Sequence, residues 1–367
     1  MTRRPALRWA RVAALLILAA LSPAGCGRGE HRIPPTTAPA APTSAGQSSP
    51  TPAATVRRPV TLAFAGDVHF MKVPGARLAR NPETALGPVA GVLRRADVAM
   101  VNLETTVTTR GTPQHKHYVF RAPPTAFQAL RAAGVDVATM ANNHGMDYGL
   151  VGLRDSLAAA AAARFPVVGI GRDAAQAYAP WLVTVRGQRI AILGATQVLE
   201  PGLEVAWTAG TGRPGLASAY DQARLAAAVR RARRSADTVV VYLHWGEEGN
   251  GCPIGPQRRL AQLLARSGAD IVVGTHAHTL QGSGWLGRTF VAYGLGNFYW
   301  WNWFSEPNRT TGVLTLTLGT RAVQRMAWTP AVIRHGAPVP LTGSAATKAR
   351  ARWAATRGCT NLSATPP

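Results

Sequence analysis

Five histidines in this sequence stand directly after short apolar runs: His69, His144, His244, His276 and His278. Four others, His31, His115, His117 and His335, complete the nine and fall outside such positions. Carboxylates and amides keep the same company. Asp67 lies two residues before His69, Glu104 ends Asn102-Leu103-Glu104, Asn142-Asn143 precede His144, and Glu247-Glu248 follow His244-Trp245-Gly246. Imidazole and carboxylate together hold divalent ions, and a pair of such ions makes water a nucleophile near neutral pH. Read as an extended segment, His276-Ala277-His278 puts two imidazoles on one face, and Asp67-Val68-His69 repeats that spacing. Taken singly, Asp67 or His244 reads as a strand-end side chain bonded to backbone, or as a satisfied core histidine. Jointly the residues read as a metal or catalytic site.

Such residues converge only if the strands before them end on one side of a sheet, where α/β folds bind ligands. Short apolar runs alternating with helical stretches predict strands over Val60–Ala65, Asp97–Val101, Val135–Met140 and Pro166–Gly169, then a hairpin over Trp181–Ala195 turning at Gly187. Further strands are expected at Thr238–Leu243, Asp270–Val273, Arg288–Tyr293 and Val313–Leu318. Helices are expected over Thr84–Ala96, Thr125–Ala133, Gly149–Arg164, Ala219–Ser235 and Pro256–Ser267, with Gly134 and Gly268 as stop signals. The reading is one α/β domain over residues 60–335 and an irregular tail over 336–367 packed on its surface.

Several motifs carry a family resemblance. Asn102-Leu103-Glu104-Thr105, Ala141-Asn142-Asn143-His144 through Asp147-Tyr148-Gly149, His244-Trp245-Gly246-Glu247-Glu248 and Tyr293-Gly294-Leu295-Gly296-Asn297-Phe298 resemble those of the CapA family, in family order, and Phe120-Arg121-Ala122-Pro123 resembles a further element. That family is similar to calcineurin-like metallophosphoesterases, which implies an α/β/β/α sandwich of two mixed sheets flanked by helices, and two divalent metal ions (Mn, Fe or Zn). The resemblance implies Asp67, His69, Glu104, Asn143, His244, His276 and His278 as ligands, with Glu104 bridging, and His144 as general acid. Many members carry methionine in place of His69. Asp147 either orients His144 or caps the helix from Tyr148, and the local sequence favours the cap. Lys116 and Arg121 reach an anionic substrate or lie on a solvated loop. Asn297 positions a ligand beside a glycine turn. Trp300-Trp301-Asn302-Trp303-Phe304 form a wall for a polymer chain, a membrane-facing patch, or core.

Residues 1–26 read as an export signal: Arg3, Arg4, Arg8 and Arg11 precede the apolar run Val12–Leu21, which is short for a permanent span. Cys26 follows Ala24-Gly25 as a lipidation site, with plain secretion or an uncleaved anchor as alternatives. Residues 27–59 are rich in Pro, Thr, Ser and Ala, the composition of a disordered tether. Cys252 and Cys359 then remain as a disulfide pair or as two free thiols. Net charge is +23, from 40 Lys and Arg against 17 Asp and Glu. This favours an anionic partner, an acidic polymer or a phosphorylated small substrate. No nucleic-acid module is recognisable.

The family is implicated in making or exporting poly-γ-glutamate at the cell surface, which implies membrane-bound polymer synthase subunits as partners. Three functions follow: a metal-dependent hydrolase acting on a phosphoester or on the polymer, a non-catalytic accessory that guides an acidic polymer, or a nuclease or nucleotidase on the same scaffold.

Overall fold

The computed structural model describes residues 58–301, 305–319 and 322–367. The export signal, Cys26, the tether up to residue 57, and Asn302, Trp303 and Phe304 lie outside the described residues.

In chain order the strands are β1 (Val60–Val68), β2 (Val98–Leu103), β3 (Thr106–Val107), β4 (Arg121–Ala122), β5 (Val137–Thr139), β6 (Val167–Val168), β7 (Ile170–Gly171), β8 (Trp181–Val185) and β9 (Gln188–Thr196). They continue as β10 (Gly215–Leu216), β11 (Thr238–Trp245), β12 (Ile271–His276), β13 (Ser283–Leu286), β14 (Thr289–Ala292), β15 (Asn297–Tyr299), β16 (Thr310–Leu318), β17 (Val323–Arg334) and β18 (Ala337–Pro340). One sheet has the order β18-β17-β16-β1-β2-β5-β6, with β15 also paired to β1, and a second has the order β13-β14-β12-β11-β9-β8. Both are mixed: the central strands run parallel, and β16 to β18, β8 and β13 pair antiparallel.

The central strands are apolar along both faces because both faces are covered. In β1, Leu62 and Phe64 join the core between the sheets, beside Tyr242, Ile192 and Phe290, while Ala63 and Ala65 turn to the outer core under the helices. A third core lies outside the second sheet, where Leu225, Val229, Leu260 and Leu264 of the helices Gln222–Ser235 and Gly255–Ser267 pack on Val239, Val241 and Val272. The layers are helix, sheet, sheet, helix, as expected.

Register at the strand starts is fixed by one device used four times. Asp97, Asp136, Asp237 and Asp270 each sit just before a strand and accept a backbone N–H from the neighbouring one, at Thr61, Ala99, Arg189 and Val239, over 2.7 to 2.9 Å. Each charge-assisted bond satisfies an amide at a sheet end.

Two expectations are corrected. The helix expected over Thr84–Ala96 is broken at Gly87 (φ 72°) and Pro88 into short turns and a four-residue helix, Ala90–Leu93. The tail is regular: β18 pairs with β17, the helix Gly343–Ala355 follows, and Trp353 stacks on Trp328 with centroids 4.4 Å apart. Cys252 and Cys359, 107 residues apart, form a disulfide that ties this tail to the loop after β11.

Candidate metal centre

The parallel strands of both sheets end on one side, and their loops meet there. Gly66 allows the closest approach, since a Cβ on it would stand 1.8 Å from the Gly296 oxygen. The backbone N–H of Asp67 donates to that oxygen over 2.9 Å, and this contact sets Asp67 at the junction of β1 and β15. Asp67 Oδ1 accepts from Asn102 Nδ2 (2.8 Å), and Asp67 Oδ2 accepts the N–H of His276 from the other sheet (3.3 Å).

Two donor sets share Glu104. Asn143 Oδ1 lies 2.9 Å from His244 Nε2, which lies 3.1 Å from His276 Nδ1 and 3.8 Å from Glu104 Oε1. Atoms bound to one ion at about 2.1 Å stand roughly 3 to 3.5 Å from one another, so this spacing suits a single coordination shell. Thr275 Oγ1, 3.2 Å from His244 Nδ1, can take the proton there and leave Nε2 as the lone pair. Asp67, Glu104 and His278 form the second set, with ligand atoms within 4.8 Å of one another, and Glu248 with His276 and His278 makes a further group within the same limit.

The fit to cations rests on Glu104. It is fully buried, neither oxygen receives a hydrogen bond, and burial followed by the charge of Asp67 pushes its carboxyl well above the usual range. A buried carboxylate without donors beside a second carboxylate is costly unless a proton or a cation lies between them. Burial, and then neighbouring histidines, lower His244 well below its ordinary value and His276 to about 3, so both present neutral imidazoles. His278 differs: burial presses it down, but the hydrogen bond and charge of Asp67 outweigh this and raise it.

The extended geometry expected of His276-Ala277-His278 is not found. His276 has φ 94° and His278 φ 53°, both left-handed, which non-glycine residues adopt at a cost of about 1–3 kcal/mol each. The left-handed backbone, not strand alternation, directs the two rings, whose centroids are 5.9 Å apart.

His69 stands apart from both donor sets. Its Nδ1 accepts the N–H of Met71 (3.0 Å), so the neutral ring carries its proton on Nε2, a buried atom with no acceptor. In this arrangement Nδ1 is occupied and Nε2 is the ring atom left without a partner. Trp300, Trp301 and Phe120 enclose the ring, with centroids 4.0, 4.6 and 4.9 Å away.

The profile of the family described as "Bacterial capsule synthesis protein PGA_cap" matches residues 61–300, a span holding every donor named above. The chain belongs to the PGA_cap family. Over 286 residues it is 29% identical to the PGA biosynthesis protein CapA of Bacillus subtilis (strain 168), covering 77% of this chain and 74% of that protein. It is 34% identical over 189 residues to a probable polyglutamine synthesis accessory protein of Mycobacterium tuberculosis (strain CDC 1551 / Oshkosh), half of each chain. Among solved structures, a putative 5'-nucleotidase from Staphylococcus aureus aligns at 15% identity and TM-score 0.46, over 81% of this chain and 58% of that one. A phosphatase from Mycoplasma pneumoniae aligns at 13% identity and TM-score 0.48, over 76% and 95%.

Within this PGA_cap site, Asp147 is not a helix cap. The helix Gly149–Ala162 has no side-chain cap, and Asp147 Oδ2 instead lies 2.6 Å from His144 Nδ1 and accepts the N–H of Phe120 at 2.6 Å. Burial lowers His144, and Asp147 opposes that shift. Lys116 is not on a solvated loop: its side chain is 3% exposed, pairs with Asp147 and Glu200 at 2.9 Å each, and donates to the Asn143 carbonyl. Arg121 is exposed and stacks over Tyr148 at 4.8 Å. Asn297 accepts from His278 Nδ1 (2.8 Å) and donates to the Asn308 carbonyl, so it holds a ligand's ring.

A cavity of ≈ 180 Å³ opens beside this PGA_cap centre, lined by Tyr118, Phe120, His144, His278, Trp300 and Trp301 among others. Trp300 and Trp301 are therefore both buried and site-facing. Sequence reasoning gave no role to Asn102, which donates to Asp67 and lies 3.2 Å from His244 Nδ1, to Phe120, stacked on His144 at 3.8 Å, or to Glu248. Phe120 and Glu248 lie in motifs that carried the resemblance, and that was the available signal.

Proposed function

We propose that this protein serves the synthesis, export or processing of a poly-γ-glutamate-type anionic polymer at the cell surface, exported and tethered through its N-terminal segment, with a two-metal site that hydrolyses a bond. Family membership and the CapA relatives support the polymer. The observation that carries the metal site is Glu104, buried without a donor between two sets of ligands. Asp67, Glu104 and His278 would hold one ion, and Glu104, Asn143, His244 and His276 the other. Bound ions would activate water and neutralise developing negative charge.

The chain's own residues do the rest. Asp147 fixes His144 through Nδ1, which leaves Nε2 to carry a proton to the leaving atom. Phe120 covers one face of that ring and keeps water from it. A phosphoester is the second reading for the scissile bond, favoured by the buried His144–Asp147 pair, which suits protonation of an alkoxide.

To test this, the purified full-length protein is analysed for bound Mn, Fe and Zn and assayed on a phosphodiester and on poly-γ-glutamate, beside His144→Ala. Two ions per chain and turnover that falls at least a hundredfold in His144→Ala are expected. A protein that takes up no metal under any supply would overturn the metal site, and metal without His144-dependent turnover would leave polymer binding as the function.

A further inference from the structure

Opposite the metal centre, where the parallel strands begin, the sequence concentrates arginine. The two sheets share this end: Gln188 Nε2 donates to the Arg58 carbonyl over 2.7 Å, and Arg186 pairs with Asp97 at 2.6 Å. Arg94, Arg131, Arg164, Arg234, Arg266 and Arg288 are all exposed, and each lies within six residues of the start of a parallel strand. None has a carboxylate within ion-pair distance among the described residues. The acids at this end, Asp97, Asp136, Asp237 and Asp270, accept backbone N–H groups, and three of them also pair with Arg186, Arg189 and Arg233, so the six arginines named above keep their charge.

We propose that this arginine pole is a docking face for an anionic phospholipid surface, which turns the metal centre away from the membrane. Three observations favour lipid over the acidic polymer. The chain upstream of Arg58, with its apolar run Val12–Leu21, joins the fold at this end through β1. The pole is remote from the cavity that receives substrate. It also contains a cleft of ≈ 350 Å³ in which Phe165, Trp181, Val183 and Val185 adjoin Arg131 and Arg164, with Asp97 and Asp136 also in its lining, so apolar surface lies beside cations there. The proposal rests on the membrane tethering proposed above.

The test uses full-length protein and co-sedimentation with phosphatidylcholine vesicles, with and without phosphatidylglycerol, at low and high salt. Capture by neutral vesicles reports the N-terminal segment. The increment on anionic vesicles reports the pole, so the two can fail separately. The increment is expected to be at least tenfold, to vanish at high salt, and to disappear in the combined variant Arg164→Gln, Arg234→Gln, Arg266→Gln, Arg288→Gln. The matching lysine variant keeps the charge and should retain it, which separates charge from misfolding. A control with Arg172, Arg213, Arg309 and Arg334 changed to glutamine should also retain it. An increment that survives in the first variant, or no increment at all, overturns the proposal. So does loss of poly-γ-glutamate binding in that variant without any effect of phosphatidylglycerol, which would assign the pole to polymer.

Discussion

His69 and Lys116 both stand in or beside a site motif, and the structure surrounds them differently. His69 has its Nδ1 occupied by Met71 and its Nε2 buried without a partner among aromatic rings. Replacing it with methionine should leave the metal content of the protein unchanged, whereas His244→Ala, which removes a member of a donor set, should lower it; elemental analysis separates them. Lys116 is buried between Asp147 and Glu200 and stabilises a carboxylate that cannot be hydrated. Lys116→Met should cost about 3 kcal/mol in urea unfolding, and adding Asp147→Asn should recover part of it, because the unpaired charge is then gone. The histidine cluster was legible because each member follows an apolar run. Lys116 and Asn102 were not, since their partners are distant in sequence: Asn102 meets Asp67 across 35 positions and His244 across 142. Asp147 illustrates a different limit. Three residues after His144 and two before a helix, it satisfies the local pattern of an orienting carboxylate and of a cap equally, and only the Phe120 and Lys116 contacts separate them.

Among the elements, the buried parallel strands and the amphipathic helices could be read within a few residues, because burial on two faces or one leaves a period in the sequence. What failed to show has little apolar signal. The strand Val323–Arg334 lies toward the edge of its sheet and alternates irregularly, with Arg325 exposed beside buried Val323, and the helix Gly343–Ala355 buries only Ala346 and Trp353. The contact that matters most to the site is equally silent: Gly66 gives no periodic signal, yet the Gly296 carbonyl occupies the place of its absent side chain. Gly66→Ala would have to separate β1 from β15, which carry Asp67 and Asn297. It should destabilise the fold by about 2 kcal/mol or more, within the range of overpacked cores, and weaken metal binding as Asp67 moves. Thermal melting and metal titration of the variant check both, and unchanged metal affinity would remove β15 from the architecture of the site.

At the scale of the whole molecule, metal, protons and stability are linked through Glu104. Its folded carboxyl is raised well above the usual range by burial and then by Asp67, so the metal-free protein is most stable where Glu104 keeps its proton. A raised folded value means that this stability is fully present below the unfolded carboxylate range and is lost as pH rises through the folded value. His278, also raised, adds in the same direction, whereas His244 and His276 are already neutral near pH 7 and add nothing there. Metal binding reverses the slope, because a cation takes the place of the proton and its binding releases protons. Chelation should therefore lower the melting temperature more at pH 8 than at pH 5, and titration calorimetry in buffers of different ionisation enthalpy should register proton release on binding. Glu104→Gln removes the carboxylate repulsion. The metal-free variant should melt at or above the parent at pH 8, bind metal at least tenfold more weakly, and lose most of the pH dependence of the chelation effect. A metal-free Glu104→Gln protein that melts well below the parent at pH 8 would mean that the carboxylate is satisfied by the fold itself, and the case for cations at this centre would lose its main support.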